Sequence, residues 1–358
     1  MRFKRSLPIL LAVLVVAGAV ALVVVLRKHA PPEAARLLPG ADGFVYINLQ
    51  WMRRINLIGE LPPVPHDPEY QQFIQATDFQ FERDLEEAAV AIHYPTSLPG
   101  AGTQVSEARF SEVFVGKIQG EKLRAYLQKL SRSVETDKSI EIYSIPLEGR
   151  TVRVAILGVD TVAASNHPDP QVIRGIVERS RKLASPFGGP ALLRQYYQRV
   201  PIASLAWAIF RVFPSSGSSP IAGFDLSSVF SKQAVVVASA RYLRALHLRI
   251  AAVTQSPSDA KQVTDQLSTF LTLFHAAEGT SEPSGTDPDV KAVLDSLKVE
   301  QENERTILTA TIPPGFVQKA LAQGPSIAAP PTPQAPAPMP EPPANHKRKG
   351  HEVAKPKT

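Results

Sequence analysis

The sequence predicts an α+β protein. An N-terminal transmembrane helix comes first, then two similar lobes of antiparallel sheet with helices on one face, then a disordered Pro-rich tail. Three observations predict this. Leu7–Leu26 is an uncharged run of twenty residues. The body alternates strand-like and helix-like stretches in an order that recurs once. Residues 324–358 lose that periodicity and become rich in proline.

Residues 1–28 read as a signal anchor, with the transmembrane helix at 7–26. At 1.5 Å per residue this run covers about 30 Å, the thickness of a bilayer core. It exceeds the apolar region of a cleaved signal and ends in Arg27-Lys28, not in a small-residue cleavage site. Arg2, Lys4 and Arg5 precede it, a bias toward a cytoplasmic N-terminus and a body in the periplasm or extracytoplasmic space. Residues 29–38, with Pro31-Pro32, read as a short tether.

The first lobe, 39–185, opens with a strand over Phe44–Asn48. Asp67-Pro68 starts a short helix bearing Tyr70, Phe73 and Ile74. Strands follow at Ala88–His93 and Glu112–Ile118, around a loop at Pro95–Ala108. A helix over Gly120–Ser131 places Leu123, Tyr126, Leu127 and Leu130 on one face. Three further strands are predicted over Ile140–Ile145, Thr151–Leu157 and Thr161–Ser165. Asp169-Pro170 opens a helix to about Leu183 that buries Val172, Ile173, Ile176 and Val177.

The second lobe, 186–323, begins with a helix over Pro190–Arg199 and a strand over Ala203–Phe210. A Ser/Pro/Gly loop at Phe213–Gly223 and a helical turn at Asp225–Phe230 lead to strands Ala234–Ser239 and Ala245–Val253. Ser256-Pro257-Ser258-Asp259 starts a helix with Val263, Leu267, Phe270, Leu271 and Phe274 on one side. After a loop at Glu278–Thr286, Asp287-Pro288 opens a helix. A hairpin follows, Lys298–Gln301 with Thr306–Ile312, turning at Asn303, and Phe316–Leu321 is a last apolar turn or two. At four helix starts an oxygen-bearing residue precedes a proline that needs no donor, a boundary signal and not a site.

FERDLEEAAVAIH (81–93) and FDLSSVFSKQAVVVAS (224–239) hold equivalent places in the two lobes. That order, the anchor and the entry sequence LLPGADGFVYINL (37–49) together resemble single-pass envelope proteins of bacteria. The resemblance implies location and architecture. It carries no catalytic motif and implies no activity.

Charge sharpens the division. Residues 1–28 hold five basic side chains and no acid, and 344–358 hold five basic side chains and Glu352. With a total of +6, the body between them is slightly acidic at −3. A basic nucleic-acid face is therefore not expected, and no nucleic acid partner is expected of an exported body. The absence of Cys removes disulfides, thiolate metal sites and a thiol nucleophile. No HExxH or GxSxG occurs, and Pro99-Gly100-Ala101-Gly102-Thr103 lacks the ending of a phosphate loop. No catalytic residue, cofactor or metal is assigned.

Weaker candidates have plain structural readings. Asp84, Glu86 and Glu87 form a carboxylate cluster that reads as a solvated face. His93 and His247 lie on strands as satisfied or solvent-facing histidines, and His275 lies near a helix C-terminus. Glu178 can pair with Arg174 at i+4. Tyr196 and Tyr197, between Arg194 and Arg199, fit a buried helix face better than a stacking platform. Gly188-Gly189-Pro190 reads as a linker turn.

In the tail, nine of the nineteen residues Pro325–Pro343 are proline, which favours an extended polyproline II arm. Lys347, Arg348, Lys349, Lys355 and Lys357 at its end are candidate contacts for an anionic partner: envelope polymer, lipid or an acidic protein. The functional expectation is a membrane-anchored extracytoplasmic binding or scaffolding protein, non-enzymatic. The alternative is an envelope hydrolase with a site assembled in the cleft between the lobes.

Overall fold

The computed structural model describes residues 30–57, 66–94, 108–147, 149–182, 188–214, 229–280 and 288–323. The anchor, the loop after Tyr94, the Ser/Pro/Gly loop and the tail, with its five basic candidates, lie outside the described residues. The chain divides into two units, Met1–Ala322 and Gln323–Thr358, and every described strand belongs to the first.

The fold is mixed α+β, built on a large antiparallel sheet. Among the described residues the strands are β1 (Gly43–Asn48), β2 (Leu85–His93), β3 (Arg109–Gly116), β4 (Ser133–Asp137), β5 (Ile140–Leu147), β6 (Arg150–Ile156), β7 (Thr161–Ser165), β8 (Ala206–Val212), β9 (Ala234–Leu243), β10 (Ala245–Val253), β11 (Lys298–Glu302) and β12 (Arg305–Ile312). Their spatial order is β11-β12-β10-β9-β8-β1-β2-β3-β7-β6-β5-β4.

The predicted halves are joined within this sheet. Two meanders, β1-β2-β3 and β8-β9-β10, meet where β1 pairs antiparallel with β8. In each half a helix follows the third strand. The chain then returns through a hairpin or meander whose last strand, β7 or β12, docks on that third strand. At the seam Phe44 faces Ile209 and Tyr46 faces Trp207, all four buried. Among the described residues the β1–β8 boundary is therefore core packing and not a cleft.

The helices correct the one-sided picture. Those described are α1 (Glu33–Leu37), α2 (Leu49–Arg54), α3 (Pro68–Thr77), α4 (Phe81–Asp84), α5 (Gly120–Leu130), α6 (Gln171–Arg181), α7 (Ala191–Tyr196), α8 (Pro257–Thr280), α9 (Pro288–Asp295) and α10 (Pro314–Gln323). Side chains alternate across a strand, so register assigns each core residue to a face. Phe44, Ala91, Val113, Ile142 and Val237 share one face and pack with α1, α6 and α7. Tyr143 and Val162 lie on the other face with Leu123 and Leu127 of α5, and Phe210, Val236 and Ala252 lie there with Val263 of α8. Helices cover both faces, so the three clusters form two apolar layers around the sheet.

The expected tether is the clearest correction. Residues 33–37 form α1, and Ala34, Ala35, Leu37 and Leu38 are at most 3% exposed. Arg179 of α6 donates through Nε to the Leu37 carbonyl at 2.7 Å, tying the two helices together.

Several boundaries also move. The helix expected over 190–199 is α7 plus a 3₁₀ turn at Tyr197–Arg199. Helix α8 runs to Thr280, into the predicted loop, so His275 lies within it. Phe270, expected on its buried side, is 63% exposed. Strand β4 was not predicted, because Ser133–Asp137 holds a single apolar residue, Val134, and so carries no apolar alternation. Two of the four predicted caps form; α6 starts at Gln171 behind Pro170, which makes no side-chain cap bond, and Asp287 lies outside the described residues. Asp67 Oδ1 accepts the Tyr70 N–H at 2.7 Å. Ser256 Oγ accepts the Asp259 N–H at 3.2 Å and donates to Asp259 Oδ2 at 2.7 Å, a side-chain N-cap.

Candidate functional site

The second half carries an apolar cavity of about 160 Å³ between α8 and the sheet. Phe210, Val236 and Ile250 line its floor, with Leu267 of α8 and Phe230 on the other side. The floor follows from register. Phe210, Val236, Ala252 and Thr306 sit side by side on neighbouring strands and point the same way. Small residues at Ala238 and Ala252 leave room there that larger side chains would fill. The polar lining group is Thr306, whose hydroxyl donates to the Ala260 carbonyl at 2.8 Å and lies 2.9 Å from Thr264 Oγ1. The walls therefore offer a ligand contact and desolvation, without directed polar recognition.

A second hollow, of about 400 Å³, lies between α5 and the β4–β5 hairpin. Its polar groups engage each other: Arg124 Nε lies 3.1 Å from Glu141 Oε2, which also accepts from the Tyr143 hydroxyl at 2.6 Å. Burial, then that carboxylate, pushes the Tyr143 hydroxyl up to about 12.

The polar groups nearest to a catalytic arrangement surround His93. Its Nε2 lies 3.3 Å from Ser111 Oγ, which lies 3.0 Å from Ser165 Oγ. The His167 ring stands edge-on at 5.1 Å. Burial foremost, then His167, holds the His93 imidazole below its usual range. Ser111 is 0% exposed and Ser165 3%, so both hydroxyls are closed off from solvent. His167 Nδ1 accepts the Asp169 N–H at 3.2 Å, and Asp169 Oδ1 accepts the Gln171 N–H at 2.8 Å. The cluster joins β2, β3 and β7 to the start of α6. Sequence reasoning missed it because its members come from strands that meet only in the sheet. The signal available was a polar residue at an inward position of each strand.

The carboxylate cluster does not converge. Asp84 is buried and accepts from Arg83 Nη2 at 2.6 Å and from the Gln80 N–H at 2.9 Å, and the Arg83 hydrogen bond holds its carboxyl below the usual range. Burial raises Glu87, against a hydrogen bond with Tyr46. Glu178 pairs with Lys182 at 2.8 Å, and Arg174 reaches Glu135 of β4 at 2.7 Å, in place of the predicted i+4 pair. His247 Nδ1 lies 3.3 Å from Thr311 Oγ1. Tyr196 and Tyr197 pack on the core, with Tyr197 edge-on to Trp207 at 5.3 Å and Arg199 over Tyr196 at 5.3 Å. Gly189, at φ +105°, turns the chain against Arg36, where a Cβ would lie 3.4 Å from Arg36 Cα. Among the described residues no three His, Asp or Glu side chains are grouped to hold a metal ion. Among them, too, no helix is long and apolar enough to cross a membrane.

No protein-family model and no curated protein matches the chain. Among solved structures it is similar to TP0453 in crystal form III, with TM-score 0.40 and 10% identity over 82% of this chain and 99% of that one. Crystal forms I and IV give TM-scores of 0.38 and 0.39 at 9% and 10% identity. Similarity at this level carries no functional argument.

Proposed function

We propose that the chain is a single-pass protein of the cell envelope, with its body mounted close against the membrane as a non-enzymatic binding or scaffolding module. The observation that carries this is α1. If Leu7–Leu26 spans the bilayer, only Arg27–Pro32 separates it from Glu33, the first residue of a helix built into the core. Six residues reach about 20 Å at full extension. The body then stays within that distance of the surface instead of swinging on a tether. The proposal places the N-terminus inside and the body outside the cytoplasmic membrane. The repeated topology supports a tandem duplication. Lys347, Arg348, Lys349, Lys355 and Lys357 supply a basic tip for an anionic envelope polymer, lipid or acidic protein.

The test is protease accessibility of a C-terminally tagged chain in intact spheroplasts, with alkaline extraction of the membranes. Tag loss beside a protected cytosolic control, with the chain retained in the pellet, is the expected result. A protected tag overturns the orientation, and release by alkali overturns the anchor.

A further inference from the structure

We propose that the cavity under α8 holds the end of a hydrocarbon chain. Four features lead to this class of ligand. The cavity is built from apolar side chains, and its polar member, Thr306, already engages Ala260 and Thr264. A water molecule needs two or more polar partners, so this space disfavours water and favours apolar matter. Its volume of about 160 Å³ compares with that of a dry engineered cavity of about 150 Å³ that takes benzene, so about six carbon atoms fit. Finally, Ile250 lines the cavity and is 36% exposed, so the space reaches the surface and a longer chain can emerge there. No charged side chain lines the described walls. The site therefore reads the alkyl end and leaves a headgroup outside. The ligand is the alkyl chain of a phospholipid or of a free fatty acid, which share this chemistry.

The inference does not depend on the orientation of the body, and its test reports separately on the anchor. The full-length chain is placed in phospholipid nanodiscs with either a phospholipid or a free fatty acid carrying a diazirine at the alkyl terminus. After illumination, labelled peptides are mapped by mass spectrometry. Label within residues 7–26 reports the anchor. Label in peptides containing Phe210, Ile250 or Leu267 reports the cavity, and the probe that gives it identifies the source.

Cavity label should be saturable by unlabelled fatty acid. It should fall at least fivefold in Ala238→Leu, which fills the space, and persist in Leu267→Ala, which enlarges it. Label confined to 7–26 overturns the inference and leaves the anchor standing. Cavity label that is not saturable, or that is unchanged in an Ala238→Leu chain with wild-type circular dichroism, also overturns it. If Ala238→Leu does not fold, saturation in the wild-type chain decides.

Discussion

Leu38→Ala tests whether the chain between anchor and body is structural. Leu38 is 1% exposed and belongs to the cluster formed by α1, α6, α7 and the sheet. The change removes three carbons, about 2.4 kcal/mol of transfer free energy at about 0.8 per methylene. The space left behind is bounded by residues held from several elements, so it collapses only in part, and the total comes to about 3–4 kcal/mol. At a urea dependence of about 3 kcal/mol per molar for a body of this size, the unfolding midpoint falls by about 1 M. Far-UV circular dichroism of the full-length chain across a urea series reads this directly. Glu33→Gln, on the exposed side of the same helix, should stay within about 0.5 kcal/mol. If the two variants share one midpoint, α1 is not part of the core and the membrane-mounted body loses its main support.

Ser256→Ala should cost about 1 kcal/mol in the same melt, through loss of the α8 N-cap. Gly116→Ala should destabilise by about 1–3 kcal/mol, because a Cβ there would lie 2.5 Å from the Asp84 carbonyl oxygen and backbone must shift. His93 should make stability acid-sensitive. Burial lowers its folded pKa below the unfolded value of about 6.5, so the unfolded chain takes up the proton first. Stability is then full above about pH 6.5 and falls as pH drops toward the folded pKa; a His93→Gln chain should show a flatter pH profile over that window. Glu112 should act with the opposite sign. Burial raises its folded pKa, so its ionisation costs stability as pH rises from about 4.5, and Glu112→Gln should gain stability at pH 7 relative to pH 4.

The local plan was legible where chemistry is local. Strand β10 occupies the residues its alternation marks, and the β11–β12 hairpin turns at Asn303, held at φ +53°. The buried side of α6 is three of the four predicted residues, Ile173, Ile176 and Val177, with Val172 only half-buried. What escaped depends on pairing at a distance. An amphipathic period shows that a helix hides one side but not which face of a sheet it covers, so the two-sided packing was out of reach. Ala34, Ala35, Leu37 and Leu38 carried a core signal that Pro31-Pro32 masked. The cavity was invisible for the same reason as the His93 cluster: Phe210, Val236, Ile250 and Leu267 are ordinary core residues in sequence, and only their register leaves a gap.

The position of β1 has a consequence for how the chain is made. Of the described strands it is the first in chain order, yet it lies inside the sheet, between β2 and β8. Its hydrogen bonds toward β8 wait until about 120 further residues have followed β2. At translation rates of about 5–20 residues per second, that edge stays open for about 6–24 s. A half-made body thus exposes an unpaired strand able to recruit the wrong neighbour, including another nascent copy of itself. Crowding of nascent chains is therefore a particular hazard for this topology, and slowing translation between β2 and β8 should increase misassembly rather than relieve it.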